Sequence, residues 1–355
     1  MNRIRSETVS VVLLVGACLP ALALPLLAQD LSQFLSPECR ADQTSGIALG
    51  DVDGDGRLDM VFGNGRHTPQ PNLLFINGNR TDLFFPPREL GNSATYEVVF
   101  ADLNGDRHLD LVEGNDAGYF NVVWINDGRG NFSAEYFFGR DEPTRDIAVG
   151  DLSGDGLPDI VTANRGATNR VYVNDGSGRF TQSHPLPVER DRSVAVELGD
   201  FNRDGHLDIV VANLGDQPNY FYLNDGTGRF ARPTAFGPPD DESVELAVGD
   251  LNGDGNADVV VGNCNCERLD PSAQRKNQPD RIFFGDGKGG FTRSITFGSG
   301  AGLTRALAIG DMNGDGTQDV VVGYEARHGR ARFRRRAVVG EPRQRAVPEP
   351  LHRRA

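Results

Sequence analysis

The chain has 355 residues, long enough for one large or two ordinary domains with a sizeable buried core. Apolar residues make up 38% without counting 44 glycines, and with glycine included the composition is that of a globular protein, not a disordered one. A formal net charge of −14 argues against nucleic acid or an anionic membrane as main partner, leaving a solvated acidic surface or a binder of cations.

At the N-terminus, Arg3 and Arg5 precede an apolar stretch from about Val11 to Leu27, and Ala21, Ala23 and Ala28 offer cleavage points. Two prolines interrupt the stretch, so residues 1–28 read as a secretory signal peptide in preference to a membrane anchor. The expected location is therefore secreted, cell-surface or periplasmic. Cys18 after LVGA weakly resembles a bacterial lipobox, although apolar residues continue beyond it. No other segment is long and apolar enough to span a bilayer as a helix. Cys39, Cys264 and Cys266 remain after export, which allows one disulfide, its pairing open, and leaves one thiol.

From residue 45 onward a unit recurs, with starts near 45, 96, 145, 194, 244 and 305. Each opens on a short apolar strand, such as GIALGD, DIAVGD or ALAIGD, and continues through an acidic nine-residue loop into a second one, such as DMVFGN or DIVVAN. A third run leads into Asn-Asp-Gly, as in VYVNDGSGRF, where Asp-Gly between alternating apolar residues predicts a hairpin with a type I′ turn. Phe132, Phe180, Phe230 and Phe291 then begin a fourth, outer strand. Four antiparallel strands in roughly 50 residues, without helical periodicity, predict an all-β fold: a β-propeller of four-stranded blades, six or an incomplete seven.

The acidic loops DVDGDGRLD, DLNGDRHLD, DLSGDGLPD, DFNRDGHLD, DLNGDGNAD and DMNGDGTQD join first and second strands. Alternate positions of such a loop can surround Ca²⁺, a hard cation wanting six to eight oxygens. Side chains at positions 1, 3 and 5, a carbonyl at 7 and a carboxylate at 9 supply them. In the first loop these are Asp51, Asp53, Asp55, Arg57 and Asp59; in the second, Asp102, Asn104, Asp106, His108 and Asp110. The third offers Asp151, Ser153, Asp155, Leu157 and Asp159, and the fourth Asp200, Asn202, Asp204, His206 and Asp208. The fifth offers Asp250, Asn252, Asp254, Asn256 and Asp258, and the sixth Asp311, Asn313, Asp315, Thr317 and Asp319. Up to six calcium ions are expected, and they would offset most of the net charge. Asx-turns alone would not need an acid at both ends of every loop. An EF-hand would need flanking helices and a glutamate at position 12, where only Glu113 qualifies; dockerin-like loops fail likewise. Calcium-binding β-helix repeats recur every nine residues, not every fifty.

The repeat resembles the FG-GAP / VCBS family, the calcium-binding propellers typified by integrin α-subunit heads, over about residues 45–324. The resemblance implies a seven-bladed propeller whose loops bind calcium through the acids and amides just named. Two loops depart from the pattern. Arg107 replaces the glycine at position 6, at about 1 kcal/mol if positive φ is required, which predicts a weaker second site. Arg203 replaces the glycine at position 4, read as the milder change.

The sixth repeat reads as stopping after its second strand near Tyr324, so the propeller is assigned residues 29–325. Residues 326–355 hold ten arginines, no lysine and no apolar periodicity, and read equally as an interaction arm or a shifted reading frame. No G-x-S-x-G, H-E-x-x-H or P-loop occurs, and two of the six histidines fall at position 7 of loops, their side chains expected in solvent. Asn64, Asn115, Asn164, Asn213 and Asn263, ending the second strands, read as turn caps before ligand-reading residues. The expectation is a non-enzymatic binding or adhesion module for a protein or glycan. The alternatives are a propeller-type polysaccharide lyase or hydrolase, with Cys264 to Asp280 as the one insertion long enough to build a site, and one domain of a longer surface protein.

Overall fold

The computed structural model describes residues 43–78, 87–188, 190–215, 217–264, 278–298, 303–325 and 332–335. The signal peptide, most of the Cys264–Asp280 insertion and most of the Arg-rich tail lie outside the described residues. Among the described residues there is no helix. Five antiparallel sheets have four strands and the sixth has three, each hydrogen-bonded in chain order as a meander. The inner strands are Thr44–Gly50, Thr95–Ala101, Thr144–Gly150, Ser193–Gly199, Ser243–Gly249 and Leu303–Gly310, and each packs against the next.

The apolar cores lie between sheets. Leu103, Val112, Val123 and Phe138 of the second blade interlock with Ile147, Ile160, Tyr172 and Phe180 of the third. Leu152, Val161 and Val171 of the third meet Val196, Ile209 and Tyr222 of the fourth. A second strand such as Asp159–Asn164 is thus covered on both faces and buried at every position, which explains why it reads as a continuous apolar run without alternation. Each such side chain contributes about 1.5–3 kcal/mol by leaving water. The propeller-blade expectation stands.

Three local expectations change. The Asp-Gly hairpins are not type I′ turns, which need positive φ at both central residues. Gly128 and Gly130 have positive φ but Asp127 does not, and the turn is closed by the Asp127 amide donating to the Asn131 carbonyl at 3.1 Å. Asp127 Oδ1 accepts the Arg129 amide, so the aspartate caps a longer turn. The fourth strands of blades three and four begin at Gln182 and Thr234, beyond Phe180 and Phe230. The sixth repeat does not stop at Tyr324: Arg332–Arg335 pairs antiparallel with Asp319–Glu325 as a third strand.

Candidate calcium loops and an axial cavity

The six nine-residue loops share one hydrogen-bond pattern. The position-1 aspartate curls the chain around itself: Asp51 accepts the amides of Asp55 and Gly56, and Asp151 those of Gly154, Asp155 and Gly156. Position 3 accepts the position-5 amide in every loop but the third, as Asn104 does from Asp106, and position 5 accepts the position-7 amide, as Asp204 does from His206. In the first four loops the residue at position 2 is an apolar anchor, with Val52, Leu103, Leu152 and Phe201 all buried, whereas Leu251 is half-buried and Met312 exposed.

The closing aspartate has a second role that its spacing does not show. Asp59, Asp110, Asp159 and Asp208 are buried, each with Oδ2 on the position-2 amide and Oδ1 on the amide at the end of the third strand. Asp258 bonds Leu251 and Gly285 in the same way, and Asp319 accepts the Met312 amide. These carboxylates hold loop to sheet. Burial pushes Asp110, Asp208 and Asp258 up to about 6, against the amides that lower them.

The donor set fits a cation. Asp51, Asp53 and Asp59 bring carboxylate oxygens within 4.8 Å of one another. Ligands at about 2.3–2.6 Å from one Ca²⁺ lie at most about 5 Å apart, so one ion can reach all three. Arg57 pairs its guanidinium with Asp55, so an ion there would compete with that contact. At position 7, His108 is exposed as expected and His206 half-buried, and both rings lie close over Gly128 and Gly226 of their own blade's hairpin, where a Cβ would collide with them.

Glycine is replaced at a left-handed position in two loops. Arg107 has φ 72° where the other position-6 glycines have 82–90°, and Arg203 has φ 63° at position 4, where glycines have 73–77°. The strain expected of Arg107 is present, and Arg203 carries the same kind. Arg203 is compensated by donating to the carbonyls of Gly255 and Asp254 in the next blade's loop, at 3.2 and 3.3 Å.

The asparagines that end the second strands are at most 1% exposed. Asn164 donates to the Thr168 carbonyl, and its amide donates to Asn169 Oδ1, which fits turn caps and not ligand readers. They also belong to a chain of bonds between blades: Asn169 Nδ2 reaches Ser193 Oγ, which donates to Asn213 Oδ1. The Asn219, Ser243 and Asn263 set repeats it one blade further on. Glu113 is in the same buried layer, accepting from Thr95, Asn115 and Trp124 and not from the acidic loop.

At the other end of the inner strands lies a feature that sequence reading missed. Every inner strand slips register one residue after its opening Thr or Ser, or two in the sixth. The skipped residues are Ser45, Tyr96, Arg145, Val194, Val244 and Arg305, and they line one cavity of about 310 Å³ to which all six blades contribute. A β-bulge re-aims its side chain, and here it turns six of them toward the axis. The next residues include Glu97, Asp146 and Glu245, which also line it, while Arg66, His67 and Arg165 come from turns after the second strands. Only a signal aligned across all repeats, the residue fifth before each strand's last, could have pointed to this ring.

At the mouth, His67 Nδ1 is 3.0 Å from Asp116 Oδ2, and the Tyr96 hydroxyl is 2.8 Å from His67 Nε2. Arg145 donates to Asp116 Oδ1 at 2.8 Å and stacks 3.9 Å over the Tyr96 ring. Burial pushes Asp116 up, but the bonds from Arg145 and His67 outweigh it and hold the group low. Deeper in, burial pushes the acids upward, with repulsion from neighbouring acids added at Glu97, Glu197 and Glu245: Asp146 rises to about 7, Glu197 to about 8, and Glu97 and Glu245 well above the usual range.

A model for the FG-GAP-like repeat matches residues 51–113, 102–162, 152–211, 200–261 and 272–322. Among curated proteins, cartilage acidic protein 1 of Xenopus tropicalis is 28% identical over 211 residues, 51% of this chain and 33% of that protein. The T-cell immunomodulatory protein homolog of Plasmodium yoelii yoelii is 24% identical over 63% of this chain and 34% of its own length. The chain thus spans about a third of the curated relatives it matches. Among solved structures, BBS1N in complex with ARL6DN, soaked with mercury, shares the fold at TM-score 0.51 and 14% identity, covering 78% of this chain and 76% of that one. With its repeats matched over more than half of its length, the chain belongs to the FG-GAP-like repeat family.

Proposed function

We propose that the chain is an exported propeller, stabilised by up to six calcium ions, that acts as a non-enzymatic binding or adhesion module for a protein or glycan. The observation that carries the reading is the inward-turned carboxylates, three within 4.8 Å of one another in the first loop. In support, the loops sit at one end of the inner strands and the polar cavity at the other, so metal and ligand would occupy separate faces. The ions would hold strand ends together while the ligand is taken elsewhere. Melting in excess calcium against excess EDTA tests the metal: a ligand bound only by the native state adds about 2.7 kcal/mol at a hundred times its Kd. An unchanged melting temperature would overturn the calcium assignment. A glycan array read with and without EDTA then separates a lectin from a protein binder.

One observation favours the second reading, a carbohydrate-active enzyme. The Asp116, His67 and Tyr96 contacts form a carboxylate–imidazole–phenol relay at an arginine-lined mouth, an arrangement suited to moving a proton on a uronate. Release of unsaturated products from pectic polysaccharide by the native protein, lost in Tyr96→Phe, would establish it.

A further inference from the structure

The axial cavity separates its charges. Arg66, Arg145 and Arg305 stand at its mouth, and Glu97, Asp146 and Glu245 lie among the residues next in along the strands, with Glu197 two positions further. Among the described residues no ion pair joins Glu97, Asp146, Glu197 or Glu245 to a basic side chain. Asp146 accepts only the amides of Ile147 and Val196, and Glu97 that of Val98. Burial is the largest force on all four acids, joined at Glu97, Glu197 and Glu245 by repulsion from neighbouring acids and opposed by backbone amides. The cationic side is held in place: Arg145, its side chain 10% exposed, donates through one terminal nitrogen to Asp116 Oδ1 and lines the cavity with Arg66. A guanidinium has five N–H donors, so that one pairing leaves the two arginines able to bind an anion in the cavity.

We propose that this cavity binds a small zwitterion, its carboxylate on the Arg66 and Arg145 side and its ammonium or guanidinium among Glu97, Asp146 and Glu245. A metal ion does not fit as well: among the described residues only Asp51, Asp53 and Asp59 bring three ligand groups within 4.8 Å. An extended cation with several donors spans wider carboxylates, as a guanidinium does with its five N–H groups. The volume, near the lower end for ligand sites, suits a single amino-acid-sized molecule. The inference deepens the binding-module reading by naming a ligand class, and rests on it.

The test is isothermal titration of the calcium-loaded chain with L-arginine and L-lysine as probes. L-citrulline matches arginine with a neutral tail, and agmatine matches it without the carboxylate. Saturable one-to-one binding of at least one amino acid is expected, with citrulline and agmatine each weaker than arginine by about tenfold or more. Glu245→Gln should weaken arginine and spare citrulline, whereas Arg145→Gln should weaken arginine and spare agmatine. No binding of either amino acid at millimolar concentration overturns the proposal, as does equal binding of arginine and citrulline. The analogue comparison uses the unaltered protein, so it decides even if a variant fails to fold. A glycan array positive on that same protein would leave the binding-module reading standing when the zwitterion fails.

Discussion

Two arginines occupy backbone positions that glycine fills elsewhere in the loops, with φ 72° at Arg107 and 63° at Arg203. A side chain in the left-handed region costs about 1 kcal/mol, so Arg107→Gly is expected to raise stability by up to that amount, less any entropy that glycine adds to the unfolded chain. The gain should appear as a higher denaturation midpoint in calcium, and a lower midpoint would show that Arg107 is held by contacts that repay its strain. Arg203→Gly should gain less, because it surrenders two bonds to the fifth loop. The need for positive φ at position 6 was legible from the glycine in the other five loops. That Arg203 is strained equally but braced was not, since its partners are 51 and 52 residues away.

The blades are joined at the level of elements by asparagines that end third strands. Asn126, Asn174 and Asn224 each donate to the position-2 carbonyl of the preceding blade's loop at 2.8 Å, and to a carbonyl of their own loop at 2.9–3.0 Å. The fifth blade has Gly285 at this place, and there the Gly289 amide reaches the Phe201 carbonyl instead. Asn174→Ala would leave the buried Leu103 carbonyl and the part-buried Pro158 carbonyl short of a donor, so a loss of about 1–3 kcal/mol is expected in urea unfolding. A loss below about 0.5 kcal/mol would mean that water replaces the clamp. The N-D-G motif is visible as a turn from its residues alone. Its second use, a bond 71 residues back in the chain, is a product of blade stacking.

At the scale of the whole molecule, the four axial acids make stability depend on pH. Their native pKa values lie above the unfolded value of about 4, at about 7 for Asp146 and about 8 for Glu197. Above the unfolded value the native state holds protons that the unfolded state has lost, so stability falls as pH rises from about 5 through about 8. Denaturation in saturating calcium, which keeps the loop acids ionised, should show this slope, and Asp146→Asn should flatten it. A rising slope across that window would mean that the axis contains a cation already.

The repeats, the meander of each blade and the oxygen-rich loops were determined by sequence alone, because period, strand pattern and ligand spacing are local properties of about fifty residues. Only the tertiary structure decided what the strands surround. Glu97, Asp146 and Glu245 are isolated acids on separate apolar strands, and nothing in any one strand marks them as neighbours. They meet because six bulged strands converge on one axis, and that convergence comes from sheet-on-sheet packing between blades, not from any residue's own preference.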